Sequence, residues 1–158
     1  LPDDFFLSPL LPGDLEGIAP RLAEMDPWKT LGYSPDGLAR YLRRDDPALF
    51  CRVARAEAGV AAVLCVRHPW LLGPFIELLA CFDPFRGRGL GRKLVEWVER
   101  GAFPGSSNLW VTVSSFNVGA RGFYRRMGFQ EVTELKDLVR PGCDEILLRK
   151  RLGESVNR

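Results

Sequence analysis

Residues 78–97, LLACFDPFRGRGLGRKLVEW, constrain the fold more than any other stretch of this chain. An apolar run from Phe75 to Phe82 gives way to three glycines and two arginines within Arg86–Gly91. Leu90, Leu94, Trp97 and Val98 then recur at helical spacing. The pattern predicts strand, loop and helix, and LWVTV at 109–113 predicts a buried strand after them. A strand–helix–strand step over 75–113 demands a locally parallel pair joined by a right-handed crossover.

The remaining periodicities fill in a mixed sheet with helices. FFLSPLLPGD (5–14) reads as a short strand entering a turn. Leu15, Ile18, Leu22 and Met25 mark a first helix, which Pro27 interrupts. In SPDGLARYLRR, Ser34 suits an N-cap, Pro35 the first turn, and Leu38, Tyr41 and Leu42 a common face; Pro47 ends this second helix. ALFCRVARAE (48–57) and VAAVLCVRH (60–68) read as strands joined tightly at Ala58-Gly59, and HPWLLGP (68–74) as a loop. GAFPGSSN (101–108) is a second loop. NVGARGFYRRM is a helix with Asn117 as N-cap and Gly128 at its end. FQEVTELKDLV and CDEILLRKRL are two last strands, and GESVNR a frayed tail. No linker or repeat divides residues 1–158, so one α/β domain with a mixed sheet is expected.

Bulk composition excludes several function classes. A net charge of +2 gives the whole molecule no strong pull toward nucleic acid or an anionic membrane. The single histidine, His68, leaves a His/Cys metal site short of ligands, so no metal is expected. Cys51, Cys65, Cys81 and Cys143 form no C-x-x-C pair and read as reduced thiols. No run approaches a membrane span and LPDDFF has no basic start, which points to a cytoplasmic protein.

The glycine loop invites an anion. The first turn of a helix leaves backbone N–H groups unpaired and carries the positive end of the dipole. Glycines let those groups approach a phosphate, and Arg86 and Arg88 can pair with its oxygens. No G-x-x-x-x-G-K-[ST] is present. The spacing is G-x-G-x-G rather than G-x-G-x-x-G, and residues 101–130 hold no Asp or Glu to grip a ribose. A plain turn with solvated arginines remains the alternative at this level.

Two separated motifs together resemble the GNAT superfamily of acetyl-CoA-dependent N-acetyltransferases. Arg86-x-x-Gly89-x-Gly91 matches that family's [QR]-x-x-G-x-[GA] after the fourth strand. Asn117, then Tyr124, Gly128 and Phe129, match its later Asn and Tyr-x-x-x-Gly-Phe. The resemblance is good over roughly 48–150 and holds only in outline before that. It implies a mostly antiparallel sheet, flanked by helices, whose parallel fourth and fifth strands splay apart. It implies a cofactor core at about 72–130 and acceptor-side helices at about 12–45.

The same resemblance implies a binding mode for acetyl-CoA. The pyrophosphate would lie on Arg86, Gly87, Arg88, Gly89, Leu90, Gly91 and Arg92. The pantetheine arm would pair with the end of the fourth strand at Leu79, Ala80 and Cys81. Asn117 would touch the arm, and Tyr124 would give a proton to the leaving thiolate. Asn117 and Tyr124, seven apart, share a helix face, which is compatible with these roles.

Acetylating an amine requires removing a proton. A lysine-like amine titrates near pH ~10.4, so its neutral form at pH 7 costs roughly 4 kcal/mol or more. One branch of the family, the ribosomal-protein N-terminal acetyltransferases, carries a glutamate on the fifth strand. This chain has Thr112 there, which does not act as a base. Other members carry a carboxylate on the fourth strand, and Glu77 is the only charged residue between His68 and Asp83. Alternation places Glu77, Leu79 and Cys81 on one face, and desolvation in an apolar strand would raise a lone carboxyl. Glu77 is therefore the expected base or amine anchor, unless it is salt-bridged. A backbone N–H near the end of this strand is expected to stabilise the acetyl oxygen. An acyl-enzyme on Cys81 is not required.

Trp28, Tyr33 and Trp70 are candidate walls of an acceptor pocket, with His68 nearby; Trp28 and Tyr33 could equally pack helices on the sheet. Asp26, Asp45 and Asp46 would attract a cation or simply cap turns. The expected partners are acetyl-CoA and a small-molecule or peptide amine, with room for a homodimer. Two alternatives stand: a non-catalytic acyl-CoA-binding module, and an RNA-binding module using Arg86, Arg88, Arg92 and Lys93. The second lacks an aromatic stacking motif.

Overall fold

A computed structural model describes residues 4–153. Residues 1–3 and the expected frayed tail from Glu154 lie outside the described residues. Seven strands carry the architecture: β1 (Phe6–Pro9), β2 (Leu49–Ala56), β3 (Gly59–Trp70), β4 (Gly73–Cys81), β5 (Asn108–Ser114), β6 (Gln130–Arg140) and β7 (Cys143–Arg151). They hydrogen-bond in the order β1-β2-β3-β4-β5-β7-β6. The β1–β2, β5–β7 and β6–β7 ladders are antiparallel, and β4–β5 is parallel. The helices are α1 (Leu15–Ala23), α2 (Trp28–Leu31), α3 (Pro35–Leu42), α4 (Leu90–Trp97) and α5 (Val118–Arg126).

The chain packs as two units, residues 4–66 with 78–96 and residues 67–77 with 97–153. In the first, α1 buries Leu15, Ile18 and Leu22, and α3 buries Leu38 and Leu42. These side chains cluster with Val53, Val63, Cys65, Leu78, Ala80 and Phe82. Burial of each such leucine stabilises the fold by about 2 kcal/mol. The Ser34 Oγ accepts the Gly37 N–H at 3.0 Å, and Pro35 opens α3, as the sequence predicts. Arg55 on β2 grips both Asp14 carboxylate oxygens at 2.8 and 2.6 Å, tying the start of α1 to the sheet. That pairing holds the Asp14 carboxyl below the usual carboxylate range.

In the second unit, the Asn117 Oδ1 caps α5 by accepting the Ala120 N–H at 3.2 Å. Gly128, at φ 92°, lets the chain turn so that the Phe129 N–H reaches the Tyr124 carbonyl at 3.0 Å. Arg121 and Arg125 both reach Glu131 on β6. β6 is the edge of the sheet, and its exposed charges suit an edge strand.

Three local expectations change. Residues 68–74 are not a loop: β3 continues to Trp70, and only Leu71-Leu72 turn before β4 starts at Gly73. Pro69 and Gly73 resemble breakers, but the turn is held by contacts the sequence does not display. The Trp110 Nε1–H donates to the Leu71 carbonyl at 2.7 Å, and the Ser107 N–H to the Leu72 carbonyl at 3.3 Å. Second, a single-turn helix, α2, occupies the Trp28 stretch; the Asp26 carboxylate accepts the Thr30 N–H, and Gly32 at φ 76° ends the turn. Third, a π-helical turn, Val98–Ala102, extends α4 into the segment expected as a loop.

Candidate active site

β4 sets its side chains by strand alternation. Ile76, Leu78 and Ala80 are buried, whereas Phe75, Glu77, Leu79 and Cys81 form the less buried face. Glu77, Leu79 and Cys81 therefore share a face as expected, and Ala80 points into the core, leaving its backbone to offer contacts. The Cys81 thiol is pushed up to about 11 by burial, against the charge of Arg86 and the backbone N–H of Gly91. A thiol held that high is protonated at neutral pH and a poor nucleophile.

The loop after β4 is pinned from its own unit. The Arg21 guanidinium donates to the Val60 and Asp83 carbonyls, each at 3.0 Å, and lies 4.0 Å over the Phe82 ring. Phe85 is buried edge-on against Phe5. From this base, Gly87 and Gly89 adopt left-handed φ of 74° and 76°. A Cβ at either would have no protein atom within 4 Å. The glycines are therefore required by backbone conformation, and the space above them is open for a ligand to meet the main chain. Leu90 is buried and begins α4, Gly91 lies in its first turn, and the Lys93 N–H bonds the Gly89 carbonyl at 3.1 Å.

The loop charges are unequally engaged. Arg86 is exposed. Arg88 pairs with Asp4 at 2.9 Å, both about half exposed, and stands 5.3 Å from the Phe5 ring centroid. Arg92 and Lys93 both reach Glu96, at 3.0 and 3.4 Å. Such exposed pairs are worth at most about 1 kcal/mol and yield readily to a phosphate.

A family comparison decides what this strand–loop–helix belongs to: the model described as "Acetyltransferase (GNAT) family" matches residues 17–129. The chain belongs to the GNAT acetyltransferase family. Its mixed sheet with a parallel β4–β5 pair and flanking helices is the fold expected for it. A Desulfovibrio desulfuricans structure assigned to the same family is 20% identical at a TM-score of 0.75, covering 94% of this chain and 99% of that one. An acetyltransferase from Thermus thermophilus is 22% identical at a TM-score of 0.75, with 94% and 97% covered. A Vibrio cholerae spermidine N-acetyltransferase, solved with CoA and spermine, is 16% identical at a TM-score of 0.72, with 98% and 99% covered. No curated protein sequence gives a match.

In this GNAT chain the second unit holds the remaining candidates. Tyr124 is buried, its ring edge-on to Phe123 and Phe129 at 5.0 and 5.2 Å. Asn117 spends its Oδ1 on the helix cap, while its Nδ2 is a separate double donor. Glu77 is not a lone charge: it accepts a hydrogen bond from Arg67 Nε, and the pair is largely buried. The expected desolvated carboxylate is thus salt-bridged. Sequence reasoning misses Arg67 because it reads 68–74 as a loop; the two-residue turn found there brings β3 back along β4.

The aromatic candidates divide. Trp70 stacks on Phe75 at 4.8 Å and meets Trp110 edge-on at 5.4 Å, forming a wall on the Glu77 face. His68 lies 4.8 Å from the Phe103 ring. In the first unit, Trp28 packs on the helix–sheet core and Tyr33 is 43% exposed, which favours packing for Trp28. Asp26 and Asp46 accept local backbone N–H groups, as turn residues do.

Proposed function

We propose that this protein transfers the acetyl group of acetyl-CoA to an amine by direct attack. The carrying observation is the loop after β4, where Gly87 and Gly89 hold left-handed conformations beneath open space at the start of α4. That arrangement suits a pyrophosphate, with Arg86, Arg88 and Arg92 as charged partners. The main chain at Leu79, Ala80 and Cys81 would receive the pantetheine arm, and the Asn117 amide would donate to it. When bound, acetyl-CoA supplies an activated thioester carbonyl.

The protein's own groups then manage protons and position. The carboxylate of Glu77, oriented by Arg67, attracts the ammonium form of the acceptor. Once the ammonium has given up one proton, the neutral nitrogen bonds the acetyl carbon as the C–S bond breaks; Tyr124 gives its phenolic proton to the departing sulfur and recovers one, through solvent, from the new amide nitrogen. The Vibrio cholerae spermidine N-acetyltransferase of like fold is bound to CoA and spermine, which supports an amine as acceptor here.

The test is CoA-thiol release from acetyl-CoA over a panel of polyamines, amino acids, aminoglycosides and peptide N-termini, with product mass as confirmation. Release that depends on one amine class, with a mass gain of one acetyl group on the amine, is expected. Tight acetyl-CoA binding with no release across the panel would instead support a binding module, and no binding at all would refute the loop assignment.

A further inference from the structure

One buried ionisable group in the second unit has no part in the scheme above. Among the described residues, Ser114 and Glu145 are the polar side chains that fall in the buried class, at 2% and 6% exposure. Burying a carboxyl with a single neutral partner is costly, so a merely structural role is poorly served by glutamate at this position.

Strand register places it. The β5–β7 ladder opposes Trp110 to Arg149, Thr112 to Leu147 and Ser114 to Glu145. Directly opposed residues lie on one face of the sheet. Two contacts show it: the Ser114 Oγ donates to the Glu145 Oε1 at 2.7 Å, and Arg149 stands 5.8 Å from the Trp110 ring centroid. On the other side of β5, Phe75 is registered with Trp110, and Trp70 touches both. Glu77 follows Phe75 by two residues and shares its face. One sheet face therefore carries Glu77, Thr112, Ser114 and Glu145, beside a wall of three aromatic rings.

We propose that Glu145 is the base that takes the proton from the acceptor amine, with Ser114 as its positioning residue. The inference rests on the acetyl-transfer reading. It divides the work of the two carboxylates by their partners. A proton placed on Glu77 would undo its ion pair with Arg67. A proton placed on Glu145 relieves a buried charge, and burial raises this carboxyl above its ordinary value while the Ser114 hydroxyl opposes the rise. The groups facing it from the neighbouring strands are neutral: Ser114 on β5 and Leu135 on β6. The nearest cation registered on its own strand and face is Arg149, which is directed at Trp110. The Glu77–Arg67 pair attracts the ammonium toward this face, and Glu145 deprotonates it there. The ammonium loses one proton to the Glu145 carboxylate, and the free amine forms the C–N bond as the C–S bond breaks. The sulfur takes its proton from Tyr124, the new amide nitrogen sheds its second proton, which returns through solvent to the Tyr124 phenolate, and Glu145 releases its own proton to solvent after the product leaves.

The experiment measures kcat and both KM values from pH 6 to 9 for wild type, Glu145→Gln, Glu145→Asp, Ser114→Ala and Glu77→Gln, with circular dichroism as a folding control. Glu145→Gln is expected to lower kcat about 100-fold or more at pH 7 while leaving the acetyl-CoA KM within about twofold. Its deficit should shrink as pH rises toward that of the free amine, and Glu145→Asp should recover part of the rate. Ser114→Ala should move the acidic limb of the profile to higher pH, because the hydroxyl no longer favours the carboxylate. Glu77→Gln should instead raise the amine KM. A Glu145→Gln enzyme with wild-type rate and profile overturns the proposal. Should that variant fail to fold, an unmoved limb in Ser114→Ala overturns it equally. A wild-type protein that acetylates no amine overturns both readings, whereas normal turnover indifferent to Glu145 overturns this one alone.

Discussion

Replacing Gly73 with alanine tests how β4 is held against β5. Gly73 opens β4, and a Cβ built there lies 2.8 Å from the Asn108 carbonyl carbon and closer still to its oxygen. Ordinary contacts begin near 3.4 Å, and the obstacle is backbone, so it has no rotamer by which to retreat. One strand must move by about 1 Å or more, which stretches a ladder bond of about 2.9 Å toward about 4 Å and breaks it. The Phe75–Trp110 and Ile76–Val111 pairs follow immediately. Losing two ladder bonds at about 1 kcal/mol each, with roughly 1–2 kcal/mol of overpacking strain, sums to about 3–4 kcal/mol. In urea, with an m value of about 2 kcal/mol/M, the midpoint should fall by about 1.5–2 M. Gly17→Ala is the control: it lies within α1 with no atom within 4 Å of its Cβ. Alanine there should add about 0.5–1 kcal/mol. A Gly73→Ala protein within about 0.5 kcal/mol of wild type would refute the close-approach argument.

Other outcomes follow from the same geometry. Gly89→Ala forces a non-glycine residue into φ 76° but meets no neighbour. It should cost about 1–2 kcal/mol of stability and raise the acetyl-CoA KM about tenfold or more at nearly constant kcat; an unchanged KM would reduce the loop to a turn. Cys81→Ala should keep full turnover, and iodoacetamide at pH 8 should leave Cys81 unlabelled by mass spectrometry, since its thiol titrates at about 11. The Asp14 carboxyl is held low by Arg55, so its contribution to stability is present above its ordinary value and is lost as pH falls through the lowered one. Asp14→Asn should cost about 1–2 kcal/mol at pH 7 and lessen the acid sensitivity of urea midpoints between about pH 5 and 3; parallel curves would contradict this.

What could be read in the sequence is what local chemistry determines. The α3 cap at Ser34, the α5 cap at Asn117 and the exit at Gly128 each depend on neighbours within a few residues. The face shared by Glu77, Leu79 and Cys81 follows from strand alternation alone. The illegible parts depend on distant partners. Asp144-Glu145 looks like a solvated start to a strand, yet Glu145 is buried because β7 lies beside β5 and meets Ser114 thirty-one residues away. Arg67 reads as the polar end of an apolar strand until the turn at Leu71-Leu72 folds it back on Glu77. That turn owes its form to Trp110 and Ser107, which lie beyond a helix.

The basic residues around both motifs show why their number is a poor guide to a polyanionic partner. Arg88 is matched by Asp4, Arg92 and Lys93 by Glu96, and Arg121 and Arg125 by Glu131. An extended nucleic-acid footprint needs a run of cations whose release of counterions adds along the backbone. Local pairing with three carboxylates breaks such a run into separate patches of low net charge, at most about one positive charge each. A diphosphate asks for less: two or three cations at one point and main-chain N–H groups that approach closely. Exposed Arg86, an Arg88 whose partner is itself half exposed, and two left-handed glycines meet that smaller demand. The distribution of charge, more than its total, therefore favours a small anionic ligand over a polymer. Binding of coenzyme A that weakens modestly between about 50 and 200 mM salt, beside RNA binding that vanishes over the same range, would bear this out.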